Sequence, residues 1–169
     1  MSNSELGKFT ASIDAAWKDL HSFLAAVTPD QASKQDQAGW SVKDHVAHLA
    51  VWEDSVTILF RGGRRHEALG VDEPLLTAGS FDEINEVIRT RLEGTTLHEA
   101  IRNLEGAHKQ LMGHLRTLRD ADLNAKAREF FPQAPRNDDR LLASLLWDTT
   151  GRHFSEHLEW MRDLVGRAA

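Results

Sequence analysis

Apolar residues recur at spacings of three and four along four long stretches of this chain, the period of a helix buried on one side. In residues 4–27 the stripe is Leu6, Phe9, Ile13, Trp17, Leu20, Leu24 and Val27, with Asp14, Lys18 and Asp19 off it. Pro29 ends this helix, because it disfavours the α conformation at Thr28. A second helix begins at Ser41, where Ser41-Val42-Lys43-Asp44 has the layout of a capping box with Asp in place of Glu. Its stripe runs through Val42, Val46, Leu49, Val56 and Leu59 or Phe60, and Gly62-Gly63 stops it. A third begins at Thr96, with Glu99 completing another capping box, and continues through Leu97, Ile101, Leu104, His108, Leu111, Leu115 and Leu118. The last spans residues 139–165, with a stripe of Leu142, Leu146, Thr149 or Thr150, His153, His157, Met161 and Leu164. Residues 81–91 predict a shorter helix crossing the others. Residues 64–79, and the segment holding Pro132 and Pro135, read as loops.

No alternating pattern long enough for a sheet is present. Four amphipathic helices can bury their stripes only against one another, so the fold class is all-α: a four-helix bundle formed as one domain over residues 1–169. Antiparallel packing is the economical arrangement. The connection between the second and third helices is long enough for a crossover.

Composition narrows the chemistry. There is no cysteine, which removes disulfides, thiolate metal sites and cysteine nucleophiles. The formal charge is −6, and no basic face stands out, which predicts no nucleic-acid partner. The densest basic stretch, Arg61, Arg64, Arg65 and His66, reads as a solvated helix end. No apolar run has membrane-spanning length and the amino terminus lacks a signal-peptide layout, so the expected setting is the cytoplasm without a membrane partner.

Nine histidines are numerous for this length, and several interrupt the core stripes. Each neutral imidazole there brings a donor and an acceptor that need partners. His153 and His157, four apart, leave one helical face one above the other, a spacing that lets two rings chelate one ion. The segment lacks the Glu after the first histidine, so it is not the zinc-protease motif. A third ligand must come from another helix: His48, or His45 one turn earlier, with His48 nearer the stripe. Three imidazoles leave a divalent ion open to water or substrate, and both Zn²⁺ and Ni²⁺ suit them. Glu53 and Glu156 are the available acid–base groups, although both read more simply as exposed carboxylates. Trp52 and Trp160 read as core, His108 as a satisfied core histidine, and Phe130-Phe131 as a cap on the bundle mouth or a contact with a partner subunit.

The segment Gly39-Trp40-Ser41-Val42-Lys43-Asp44-His45-Val46-Ala47-His48-Leu49-Ala50-Val51-Trp52-Glu53 resembles the second-helix signature of the DinB-like superfamily. His153-Phe154-Ser155-Glu156-His157 resembles its last-helix motif. The resemblance implies a four-helix bundle, often a homodimer, in which one histidine of the second helix and two of the last hold a divalent metal: His48, His153 and His157 here. It further implies a small-molecule substrate and a low-molecular-weight thiol cofactor, as in thiol-dependent transferases and isomerases, or hydrolysis. The Trp-Ser-Val-Lys-Asp segment and the Glu156-His157-Leu158-Glu159-Trp160 ending are also similar to the ClbS/DfsB group. That resemblance implies a metal-free hydrolase or sequestering protein for reactive small molecules. A non-enzymatic dimeric bundle with structural histidines is the third expectation.

Overall fold

The structure, a computed structural model, describes residues 4–134 and 138–166. Helices dominate the described residues: α1 (Glu5–Ala26), α2 (Pro29–Ala32), α3 (Val42–Phe60), α4 (Arg65–Leu69), α5 (Glu73–Ala78), α6 (Phe81–Arg91), α7 (Leu97–Leu115), α8 (Ala127–Phe130), α9 (Leu142–Thr149) and α10 (Gly151–Gly166). A 3₁₀ turn covers Asp120–Asn124, and the β-structure among the described residues is limited to two isolated bridges. The all-α expectation holds. Residues 64–79 are more ordered than their composition predicts, since they contain α4 and α5. Pro135 lies outside the described residues.

The expected caps form. Asp44 accepts from both the backbone N–H and the hydroxyl of Ser41 (2.9 and 2.6 Å), which fixes the start of α3. Thr96 and Glu99 do the same for α7. Gly62 ends α3 in the left-handed region (φ 80°), where a side chain would be strained.

Two apolar clusters give the helix directions. One joins Leu6, Phe9 and Ile13 of α1, Val56 and Leu59 of α3, Leu111 and Leu115 of α7, and Leu142 to Leu146 of α9. The other joins Leu20 and Leu24, Val42 to Leu49, Ala100 and Leu104, and Phe154 to Leu164. The carboxyl ends of α3 and α7 therefore share one end of the bundle, while α1 and the α9–α10 pair run the opposite way. Helices α3 and α7 are parallel, so a strictly antiparallel bundle does not form and residues 61–96 make the crossover. Within it α6 lies on α3, where Ile84, Ile88 and Leu69 bury Trp52.

The last helix is not continuous. Thr150 leaves the helical region (φ −119°, ψ −99°) between α9 and α10. Thr149 and Thr150 each donate from Oγ1 to the carbonyl four residues back (2.8 and 2.6 Å), a bond that bends helices. Gly151 follows the bend and has no room for a Cβ, which would run into the indole of Trp147. The bend sits one turn ahead of His153.

Phe130 and Phe131 pack on Phe60 at the end of the bundle where the carboxyl ends of α3 and α7 meet, and Phe131 belongs to the core cluster there.

Candidate metal centre and its cleft

Burial of the stripes turns one face of α3 toward α10, and the histidines meet there. One ring nitrogen from each of His48, His153 and His157 lies within 4.8 Å of the other two. Nε2 of His48 and Nε2 of His153 are 3.0 Å apart. At a metal–nitrogen length of about 2.0–2.1 Å, two ligands on one ion stand roughly 3.0–3.4 Å apart, so these rings have the right separation. His48 is 2% exposed and its Nδ1 has no hydrogen-bond partner. Nδ1 of His153 is likewise buried; the Thr149 carbonyl acts on this ring without forming a bond of ordinary geometry.

His45 is placed differently from the sequence reading. It is buried, and its Nδ1 is 2.9 Å from Nδ1 of His157. The signal was present: residues 45 and 48 are three apart and share a helical face. His45 therefore holds the ring of His157 from behind while His48 faces His153. Trp40 stands over both α3 histidines, with ring centroids 5.2 and 5.4 Å away, and Asp36 anchors the Trp40 backbone N–H (2.9 Å).

Burial keeps all four rings neutral. Desolvation pulls His45 and His153 down to about 4. Desolvation, then the neighbouring imidazoles, holds His48 and His157 well below the ordinary histidine value. Neutral imidazole is the ligating form.

The cluster lines an open cleft of about 1410 Å³. Its aromatic walls are Trp40, Trp52, Phe81 and Trp160, and its rim includes Asp82, Glu86, Asp139 and Glu156. Trp52 is buried as expected, but Trp160 is 52% exposed and stands beside His157 (centroids 4.7 Å). It is a wall of the cleft, not core.

The two carboxylates part company. Glu156 lies at the rim and pairs with Arg152 (2.8 Å). Glu53 was expected to be exposed, yet it is wholly buried: five residues beyond His48 it has turned away from the cleft toward α7. There Oε1 meets Nδ1 of His108 at 2.9 Å, so His108 is the satisfied core histidine expected. Arg65, read as part of a solvated helix end, is buried instead and lines the cleft.

A family profile for the DinB superfamily matches residues 12–161. The chain belongs to the DinB superfamily. No protein of curated function matches the sequence. Two crystal structures share the fold. One is an uncharacterised protein from Escherichia coli UTI89, 14% identical, with a TM-score of 0.71 over 97% of this chain and 94% of that one. The other is the colibactin self-resistance protein ClbS in complex with a dsDNA, 16% identical, with a TM-score of 0.74 over the full length of both.

The ClbS complex corrects one expectation. The lack of a basic face in the sequence predicts no nucleic-acid partner, but a protein of this same fold is seen with duplex DNA. Charge counted along a sequence does not report the shape and local potential of a folded surface, so that exclusion does not stand. Among the described residues, no helix is long and apolar enough to cross a membrane.

Proposed function

We propose that this DinB-superfamily protein is a divalent-metal-dependent enzyme acting on a small molecule, a transferase, isomerase or hydrolase that employs a thiol or water. The observation that carries this reading is the convergence of His48, His153 and His157, all neutral, on one point at the wall of an open cleft. The residues fit Zn²⁺ or Ni²⁺: three imidazoles whose nitrogens lie within 4.8 Å of one another, the His48 and His153 Nε2 atoms at the 3.0 Å separation of two ligands on one ion, and a free Nδ1 on His48 able to carry the proton when Nε2 ligates. A bound ion would supply Lewis acidity and lower the pKa of a water or thiol beside it. The chain's own residues do the rest. His45 fixes His157 and Trp40 covers the α3 histidines, while Trp52, Phe81 and Trp160 offer an apolar bed that excludes water from a bound ligand. With no cysteine in the chain, any thiol is brought by a small molecule.

Metal analysis of untagged protein tests this. About one equivalent of metal, lost in His153→Ala, is the expected result. Protein that stays metal-free after incubation with Zn²⁺ or Ni²⁺ sinks the reading.

A second reading is a metal-free protein that hydrolyses or sequesters a reactive small molecule. The full-length likeness to ClbS favours it, as do the His48–His153 and His45–His157 contacts, which can be imidazole–imidazole hydrogen bonds without an ion. Turnover of an electrophile by metal-free protein, with and without duplex DNA present, separates this reading from the first.

A further inference from the structure

The cleft is lined by three guanidinium groups, and two of them are already neutralised. Arg140 bonds both oxygens of Asp138 (2.8 and 2.7 Å), and Arg152 bridges Asp148 and Glu156 (2.9 and 2.8 Å). Arg65 differs. It is only 7% exposed, yet among the described residues no carboxylate oxygen comes within 4.0 Å of its nitrogens. Asp138 attracts it from beyond that distance and is committed to Arg140. Burial pulls the Arg65 guanidinium down to about 10, which still leaves it charged at neutral pH.

Its seat is rigid. Nε and Nη2 both donate to Oγ of Ser55 (3.3 and 3.2 Å), and that hydroxyl is itself fixed by donating to the Trp52 carbonyl (2.7 Å). The guanidinium lies over the Trp52 ring, 5.4 Å from its centroid. Five N–H donors with two used leave the outer edge, both protons of Nη1 and one of Nη2, without an acceptor among the described residues. A buried cation whose bidentate edge is unused is costly unless something fills it. His48 and His153 pack against the same indole (centroids 6.0 and 6.2 Å), and both line the same cleft as the guanidinium.

We propose that Arg65 is an anion subsite of this cleft and takes a carboxylate of the small-molecule ligand on its outer edge. The carboxylate-rich rim favours a single negative charge over a phosphate dianion, and the aromatic walls favour an apolar body behind it. As a statement about the ligand, the proposal deepens the reading of the cleft as a small-molecule site; it does not require the metal.

The test uses the full chain treated with EDTA and two probes of matched shape, phenylacetate and the neutral phenylacetamide. Binding is followed by titration calorimetry and by tryptophan fluorescence. Phenylacetate is expected to bind saturably, and the amide on the order of tenfold more weakly or worse, the loss typical of a hydrogen bond to a charged group. Arg65→Gln is expected to lose phenylacetate by a similar factor. Arg64→Gln, an exposed neighbour paired with Glu73, is expected to leave it unchanged. Equal binding of acid and amide overturns the proposal, as does an unchanged affinity in Arg65→Gln or a lack of saturable binding. Phenylacetate binding that disappears with EDTA also overturns it, because the anion then sits on a metal at the histidines. If Arg65→Gln does not fold, the comparison of acid with amide on the unmodified chain still decides. A metal-free result for the histidines would leave this outcome untouched, so the two failures are distinguishable.

Discussion

Glu53 and His108 share a hydrogen bond of 2.9 Å between Oε1 and Nδ1 in the sealed centre of the bundle, where Trp17 stacks on the imidazole at 4.0 Å. Both groups are buried, and burial acts on them in opposite senses. It pushes the Glu53 carboxyl well above its ordinary value, with Asp54 adding to the rise, and pulls His108 down to about 4. Both shifts favour the uncharged pair, in which the carboxylic acid donates to the ring.

The pair therefore keeps one proton when folded. Between the unfolded values, about 4.5 for Glu and 6.5 for His, the unfolded chain also holds one proton on these groups, so their stability contribution is flat. Above pH 6.5 the unfolded chain gives up that proton while the folded pair keeps it, and stability falls as pH rises. Glu53→Gln removes the titrating carboxyl but preserves a donor to the ring. At pH 6 the variant should be less stable, by about 1 kcal/mol. The gap should close within about one pH unit and then reverse, at a slope of up to about 1.4 kcal/mol per unit, leaving the variant the more stable protein at pH 9. Urea midpoints of both EDTA-treated proteins at pH 6, 7.5 and 9 check this. A constant gap would mean the carboxyl ionises normally.

His45 holds His157 in place without belonging to the close three-ring group. His45→Ala should leave the metal stoichiometry intact at saturating ion and weaken the affinity by roughly 10- to 100-fold, the usual cost of losing a group that orients a ligand. Competition against a chromogenic chelator measures it. Loss of all binding would instead make His45 a ligand.

Gly151 fits only because it has no Cβ. Gly151→Ala drives a methyl into the Trp147 ring and should destabilise the fold by about 1–3 kcal/mol, the range for overpacking. The Gly151→Ala, Trp147→Leu double variant should recover part of that loss. Thermal melts of both provide the comparison, and a lack of rescue would place the strain elsewhere.

Trp160 is half exposed, so Trp160→Ala should change stability by no more than about 0.5 kcal/mol. Phe154→Ala, one residue from His153 but fully buried, should cost about 3–5 kcal/mol. Binding of an aromatic probe should weaken in Trp160→Ala despite its normal melting. If the probe binds Trp160→Ala as tightly as the unmodified chain, the cleft wall does not contact ligands.

The stripes of α1, α3 and α7 were legible because helical periodicity is a local property: Leu20, Leu49 and Leu111 fall where spacing puts them, and each is buried. The capping residues Ser41 and Thr96 were legible for the same reason. So was the convergence of His48, His153 and His157, since two helices that bury adjoining stripes bring their interruptions together. Periodicity carries no direction, however, so the parallel course of α3 and α7 appeared only in which halves of the helices share a cluster.

The chain's sequence by itself determined the helices, their ends and the residue types that interrupt the core, all of which depend on neighbours within a turn or two. Tertiary structure alone decided the surroundings of Glu53, His45 and Arg65. A carboxylate is exposed or sealed according to what packs over it, and Glu53 is sealed by α7 and Trp17, distant in sequence. Arg65 looked like a solvated end until the crossover folded it beneath the cleft with a serine and an indole for company. Burial is set by long-range packing, and burial is what gives these charged and titratable groups their chemistry.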